Sequence, residues 1–461
     1  MSKASATRYD VIVIGAGDSG LGIAFGAAAE GLKTALVDKG KVGGTCVNYG
    51  CVPSKTLIHV ADRILEIRET AKLGIHAEAI NADFKTMMER MRSVVSSGTN
   101  SIRKAIGETE NLDFYNAACH FIDDKTIRAG NELIRGKKIF IASGSRPLIP
   151  PVQGLNKVHF LTNESVLELE NLPDSMIIIG GGYIGVEYAH FFSALGTKVT
   201  VVERNARLLP FEEPEISELL KNELGRRVQL YMGAGVNQVT QARDNRGYLV
   251  IINNPDSGEN MEISAEVIMV AAGRKSNADL LDIENAGIET EGAHFIKVDD
   301  YLQTNKKHIW AVGDAIGKAM FTHAGDKESE IAWHNARRRK KVKMDFESVP
   351  HAVFSYPQIA SVGLTEEQAR KQYDVIVGRA KYSDTVMGEA MMETEGFAKA
   401  IVGKDTGRII GFHIIGPHAA ILLQEVVNAV INKNDVESVI SCMHTFPALS
   451  GLIPETLRNL Q

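Results

Sequence analysis

Residues 9–39, YDVIVIGAGDSGLGIAFGAAAEGLKTALVDK, return in outline at 174–204 as DSMIIIGGGYIGVEYAHFFSALGTKVTVVER. The offset is 165 residues throughout, so Gly15, Gly17, Gly20, Gly31 and Asp38 map onto Gly180, Gly182, Gly185, Gly196 and Glu203 without a gap. Each copy is a β-rich run, a glycine-punctuated turn, small and apolar residues at helical spacing, and a second strand ending in an acid. In that context the first glycine permits a tight turn, the second lets a pyrophosphate approach the backbone, and the third lets helix pack on strand. The helix then turns its positive end to the phosphates. Asp38 and Glu203 are placed to accept hydrogen bonds from a ribose. One such unit holds one dinucleotide, so two imply two cofactors, or a cofactor and a cosubstrate, as an electron relay needs.

A chain of 461 residues has room for two to four domains. Its net charge of −6 argues against affinity built on phosphate neutralisation, so no nucleic-acid partner is expected. No apolar run of about 18 residues occurs, which excludes membrane insertion. The opening MSKASATRYD lacks the apolar core of a signal peptide, giving a cytoplasmic expectation. Segments 84–107 and 214–227 read as helices, and 228–272 as short strands. From about 345 the character changes, with strands near 351–363 and 397–415 and helices near 419–433 and 435–443. That last block has no glycine-rich phosphate loop and reads as a separate module.

Residues 43–55 read GGTCVNYGCVPSK. Gly43, Gly44 and Thr45 resemble a helix entry, so Cys46 is expected at the positive end of a dipole, with a lowered thiol pKa. In an undistorted helix an i, i+5 pair has Cα atoms on the order of 8–9 Å apart, against a disulfide limit near 7 Å. The turn must therefore deform, and Gly50 and Pro53 are placed to allow it. A strained Cys46–Cys51 bond is a reducible one; the plain alternative is two buried, unreactive thiols. Cys119 and Cys442 stand alone and read as small core residues, so no metal site is expected. Met387, Met391 and Met392 read as packing. RRRKKVK at 337–343 reads as the solvated end of a helix, with docking of an acidic carrier protein as the sharper idea.

GAGDSG, GGTCVNYGCVPSK, GGGYIGVE, WAVGDA and FSYPQIASVGLTE occur in this order along the chain. Together they resemble the class I pyridine nucleotide-disulfide oxidoreductases, a family that includes dihydrolipoamide dehydrogenase, glutathione reductase and mercuric reductase. MFTH at 320–323 and GFAKAIVGKDTGRIIGFHIIGPHA at 396–419 are most similar to the dihydrolipoamide dehydrogenase branch. The resemblance implies an α/β fold with two Rossmann-like domains and an α+β C-terminal dimerisation domain. Its expected boundaries are 1–148 and 273–344 for the FAD domain, 149–272 for the NAD(P) domain and 345–461 for the interface of a homodimer. It implies FAD held by Gly15, Gly17, Gly20, Asp38, Lys39, Gly44, Thr45, Lys55, Ser143, Gly144, Asp314, Met320, Phe321, Thr322 and His323. It implies a nicotinamide dinucleotide at Gly180, Gly182, Tyr183, Ile184, Gly185, Glu203, Arg204, Val236 and Gly273. In the family's relay hydride passes from nicotinamide to flavin, and the flavin reduces the disulfide. Cys51 would face the flavin and Cys46 the substrate, with Lys55 and Glu187 as an ion pair beside the reactive flavin nitrogen; the plain alternative for that pair is surface charge. Glu203 favours NAD(H) over NADP(H), although Arg204 and Arg207 lie close.

Disulfide-reducing members carry a C-terminal His-Pro and a Glu five positions after the His. Here HTFPALSG puts Phe446 and Gly451 at those places. Loss of a positioned acid–base group costs roughly 10²- to 10⁴-fold in thiol exchange. His444, two residues upstream, is the candidate replacement. The leading expectation is a dihydrolipoamide-dehydrogenase-like enzyme acting on a small-molecule or lipoyl-type disulfide. The alternatives are a flavoprotein reductase of metal ions (mercuric-reductase-like) or quinone-type acceptors, and a flavin-holding binding or regulatory subunit with little turnover.

Overall fold

The strand of the first fingerprint, Thr7–Ile14, runs through the middle of a seven-stranded sheet, where Val11 to Ile14 are buried. A run apolar on both faces suits a central parallel strand covered on each side. It pairs in parallel with Thr34–Asp38 on one side and Glu132–Ile141 on the other. The strand order therefore reverses beside the glycine turn, which is where open α/β sheets bind ligands. Leu112–Asn116 extends the sheet in parallel, and Ile309–Ala311 joins the far half of Glu132–Ile141. Phe140 stacks on Trp310 with ring centroids 5.3 Å apart. Each fully buried Val, Ile or Phe in such a core contributes on the order of 2 kcal/mol.

The structure, a computed structural model, describes residues 6–77, 80–242, 247–254 and 257–461. Met1–Ser5, the start of the polar opening segment considered above, and 243–246 and 255–256 in the strand-rich region lie outside the described residues. The chain divides into two compact units. The first comprises 1–54, 88–148 and 273–346, and the second 55–87, 149–272 and 347–461.

The second unit repeats the parallel motif in a four-stranded sheet ordered Val228–Met232, Lys198–Glu203, Ser175–Ile179, Val267–Val270. A three-stranded antiparallel sheet, Val236–Gln241, Tyr248–Asn253 and Asn260–Ala265, accompanies it. The C-terminal part is a five-stranded antiparallel sheet packed against helices Ala419–Ile431 and Leu452–Arg458 around Phe412, Ile414, Val426 and Leu457. The fold is thus α/β in its two fingerprint regions and α+β at the C-terminus. Helices Phe84–Glu108 and Pro214–Gly225 fall where periodicity puts them. Among the elements not read from the sequence are helix Cys51–Glu69, strands Leu112–Asn116, Glu132–Ile141 and Val375–Lys381, and helix Leu452–Arg458. The expected helix at 435–443 is only Val436–Ile440. Cys119 is buried, but Cys442 is exposed rather than a core residue. Met392 is half exposed, so packing does not account for it. The basic run follows the end of helix Thr322–Arg337, and 338–343 are exposed. Among the described residues no helix is long and apolar enough to cross a membrane, and no three His, Cys, Asp or Glu side chains group as a metal site.

Candidate active site

The two fingerprints share hydrogen bonds as well as letters. Asp38 accepts from the amides of Ala16 (2.6 Å) and Gly40 (2.7 Å). Glu203 accepts from the amides of Gly181 (2.6 Å) and Asn205 (2.7 Å), each displaced by the same 165 residues. The acid ending the second strand therefore ties down the glycine turn, and a carboxylate oxygen with two lone pairs still has capacity for a ribose hydroxyl. Gly15 and Gly180 sit at φ +110° and +116°, a region that L side chains rarely adopt. A Cβ on Gly20 or Gly185 would lie 1.9 or 2.0 Å from the carbonyl oxygen of Gly15 or Gly180, so both helices press directly on their turns.

Helices Asp18–Ala29 and Tyr183–Leu195 begin at Gly17 and Gly182 with no side-chain cap, and a Cβ on Gly182 would meet nothing within 4 Å. Uncapped first-turn amides fit a pyrophosphate, and at Gly182 they face open space. In the first unit Asp314 accepts from the Ser145 hydroxyl at 2.6 Å, and Arg274 donates to that hydroxyl at 2.6 Å. The hydroxyl of Ser143 is shielded and has no protein partner, and Gly144 follows at φ +67° with open space at its Cβ position. An orphaned donor beside a held carboxylate fits the ribityl or phosphate oxygens of FAD. Behind Asp314, the buried Glu328 accepts from the Gly313 amide at 2.5 Å. Met320 and His323 are exposed, Phe321 stacks on His323, and Lys39 is exposed beyond Asp38.

The sulfur pair lies at a break between two helices. Gly44–Tyr49 starts from Gly43 in the left-handed region and stops at Gly50 (φ −131°, ψ −108°), and Cys51–Glu69 starts anew. The expected deformation is therefore a chain break at Gly50. Pro53 takes the third position of the new helix, where its missing N–H costs no internal bond. Cys46 and Cys51 are hydrogen-bonded to each other, and Cys51 Sγ lies 3.5 Å from the Thr322 hydroxyl. The expected lowering of the Cys46 pKa is overturned. The bond shared with Cys51, and after it burial, push this thiol up, against a lesser opposing bond from Thr322. One residue that sequence reasoning passed over also touches the pair: Asp18, whose carboxylate accepts from Cys46. Its only signal was an acid inside a glycine-rich phosphate turn.

In the second unit Lys55 forms a two-pronged pair with Glu187 at 2.8 and 2.9 Å. Glu187 is buried and also accepts from the Phe354 amide, so the surface-charge alternative does not describe it. Three residues along the same helix, His190 is fully buried between Asp62 (2.9 Å) and Arg227 (3.2 Å). Arg227 has no acceptor, so Nδ1 of His190 takes its hydrogen bond and Nε2–H faces Asp62. Tyr183 reaches the buried carboxylate of Glu212, which also bonds His351 (2.6 Å) and Ser361 (2.8 Å). Burial beside Glu212 pushes the Tyr183 phenol up. Ile184 lies in the first turn of the same helix, Arg204 is exposed after Glu203, and Val236 opens its strand. Gly273 belongs to the first unit and accepts from the Leu148 amide. At the C-terminus His444 bonds Glu425 through Nε2 (2.8 Å) and the Cys442 carbonyl through Nδ1 (3.0 Å). Both partners are acceptors, so whichever nitrogen carries the N–H of the neutral ring has a local acceptor facing it. Phe446 is 81% exposed.

Residues 9–339 match the pyridine nucleotide-disulphide oxidoreductase family, and 349–457 its dimerisation domain. The chain is 33% identical to "Dihydrolipoyl dehydrogenase 3" of Haloarcula marismortui over 98% of this chain and 96% of that protein. It is 34% identical to "Mercuric reductase" of Staphylococcus aureus over 89% of this chain and 75% of that protein. Among solved structures it resembles the Cu(II) complex of the HOCl-induced flavoprotein disulfide reductase RclA from Escherichia coli. The TM-score there is 0.87 at 28% identity, covering 98% of this chain and 99% of that one. The match runs over nearly the whole chain, and on that footing the chain belongs to the pyridine nucleotide-disulphide oxidoreductases, an FAD-dependent family that uses a pyridine nucleotide.

Proposed function

We propose that the chain oxidises NADH and reduces a small or lipoyl-type disulfide through Cys46 and Cys51, as a homodimer. The observation that carries this reading is the sulfur pair itself, two thiols hydrogen-bonded across a helix break with the Thr322 hydroxyl against Cys51. FAD, when bound, supplies the two-electron exchange between nicotinamide and sulfur. Segments 1–148 and 273–344 hold it through the Asp38-tied turn, Ser143 and Asp314, and 149–272 holds the nucleotide through the Glu203-tied turn. Lys55 is a positive group whose position Glu187 fixes. Tyr183 is held by Glu212 at the start of the nucleotide helix. Glu203 favours a free 2′-hydroxyl and repels a 2′-phosphate. The test is anaerobic titration with NADH and then NADPH, followed by reoxidation with lipoamide and glutathione disulfide. Rapid flavin reduction by NADH and reoxidation by a disulfide are expected, with the reoxidation alone lost in Cys46→Ser and Cys51→Ser. Failure to turn over any disulfide would sink the reading.

A second reading, reduction of a soft metal ion by the same thiols, draws on Phe446. A metal acceptor needs no proton delivered to a departing sulfur, so loss of the His costs it nothing. The similarity to RclA, whose structure is a Cu(II) complex, and to a mercuric reductase supports it. It fails if Cys46→Ser and Cys51→Ser both leave Cu(II) and Hg(II) reduction unchanged.

A further inference from the structure

Thiol–disulfide interchange needs a group that moves a proton at the attacking sulfur, and neither expected C-terminal side chain is suited to it. Phe446 has no titratable proton, and the ring of His444 lies between two local acceptors, Glu425 and the Cys442 carbonyl. The sulfur pair nevertheless has an ionisable neighbour within its own unit. Asp18 opens helix Asp18–Ala29, and the starts of this helix and of Gly44–Tyr49 nearly touch: a Cβ on Gly44 would lie 2.7 Å from Gly17 Cα. The Ala16 carbonyl accepts from the Gly43 amide at 2.7 Å, fixing the approach. Across that contact Cys46 donates to the Asp18 carboxylate. The first turn of Thr322–Arg337 completes the cluster with the Thr322 hydroxyl at Cys51. Burial pushes the Asp18 carboxyl up, against the lowering effect of the Cys46 bond. The titratable groups around it are Cys46, Cys51 and, on the facing helix, Asp326, itself raised by burial and by Asp18, with His323 beside it.

We propose that Asp18 is a catalytic residue of the interchange, the group that takes the proton from Cys46 and returns it to the departing sulfur. This rests on the disulfide-reductase reading. Starting from the dithiol enzyme and a substrate R–S–S–R′, Cys46 passes its proton to Asp18 as its sulfur attacks. The Cys46–S–R bond forms, the substrate S–S bond breaks, and R′–S⁻ leaves with the electron pair and takes the proton from Asp18. Cys51 then attacks Cys46 Sγ, R–S⁻ leaves, and the Cys51 proton follows through the same carboxylate. Two electrons and two protons have moved to RSH and R′SH, and the enzyme keeps a Cys46–Cys51 disulfide.

The experiment follows reoxidation of the NADH-reduced holoenzyme by lipoamide in anaerobic stopped flow across pH. Asp18→Asn is expected to lower that rate about 10²-fold and to remove its acid-side inflection, with Asp18→Glu restoring part of both. A second readout needs neither flavin nor turnover: the pH profile of iodoacetamide alkylation at Cys46 in reduced protein. Removing the negative charge beside it should move that profile to lower pH in Asp18→Asn and leave it in place in Asp18→Glu. If wild type is reoxidised and Asp18→Asn matches it in rate and pH profile, the role of Asp18 is overturned and the disulfide reading stands. If no disulfide reoxidises wild type, the disulfide reading falls and takes the proton relay with it.

Discussion

Glu328→Gln tests how the proposed flavin-chain turn is held. Glu328 is fully buried, one oxygen accepts from the Gly313 amide, and the other has no partner. Burial, assisted by the charge of Asp314 and opposed by the Gly313 amide, pushes its carboxyl up to about 7 from an ordinary 4.5. Between those values the folded chain binds a proton that the unfolded chain has released. The stabilisation is therefore fully present below the unfolded pKa and is lost as pH rises through the folded one. At 1.36 kcal/mol per unit the loss amounts to about 3 kcal/mol by pH 8. Glutamine keeps the acceptor for Gly313 and cannot ionise. The variant should thus match wild type near pH 4.5 and exceed it by about 3 kcal/mol near pH 8. Both tryptophans of the chain, Trp310 and Trp333, lie in the unit that contains Glu328, so urea unfolding followed by tryptophan fluorescence reports on that unit. A stability difference that stays constant with pH would refute the reasoning.

Lys399, buried among Glu213 (2.8 Å), Glu215 (3.0 Å) and Glu366 (2.8 Å), should be intolerant of loss; Lys399→Met is expected to cost about 3–5 kcal/mol in chemical denaturation. Lys55→Met leaves the Glu187 carboxylate with the Phe354 amide, and a cost on the order of 2 kcal/mol should appear in the same assay, smaller because Lys55 is partly exposed. Gly20→Ala puts a Cβ 1.9 Å from the Gly15 carbonyl oxygen, so the purified variant should retain far less FAD by absorbance than wild type.

The duplicated fingerprint was legible because its constraints are local. A positive φ at Gly15 or Gly180 and a carbonyl against Gly20 or Gly185 admit no other residue, whatever surrounds them. The helix break at the cysteines was legible for the same reason, since i, i+5 spacing and the disulfide limit are chain geometry. What depended on neighbours distant in sequence was not. The direction of the Cys46 shift is set by Cys51 and by burial, which a helix-entry argument omits. Asp18 reads as an acid in a phosphate turn until folding brings Gly17 against Gly44. His444 offered the right chemistry at nearly the right place, but Glu425, 19 residues upstream, claims its Nε2. Helix Cys51–Glu69 opens on Cys, Val, Pro and Ser, residues that do not announce a helix, before its apolar periodicity begins.

The proposed ribose contact of Glu203, set beside its anchoring role, bears on how coenzyme choice could change. Its oxygens anchor the amides of Gly181 and Asn205 in a buried setting, so arginine or serine there would strand both donors and loosen the loop before any 2′-phosphate arrived. A redesign toward NADPH has to leave that anchor alone and work outward, through Arg204 and the solvent-facing residues after it.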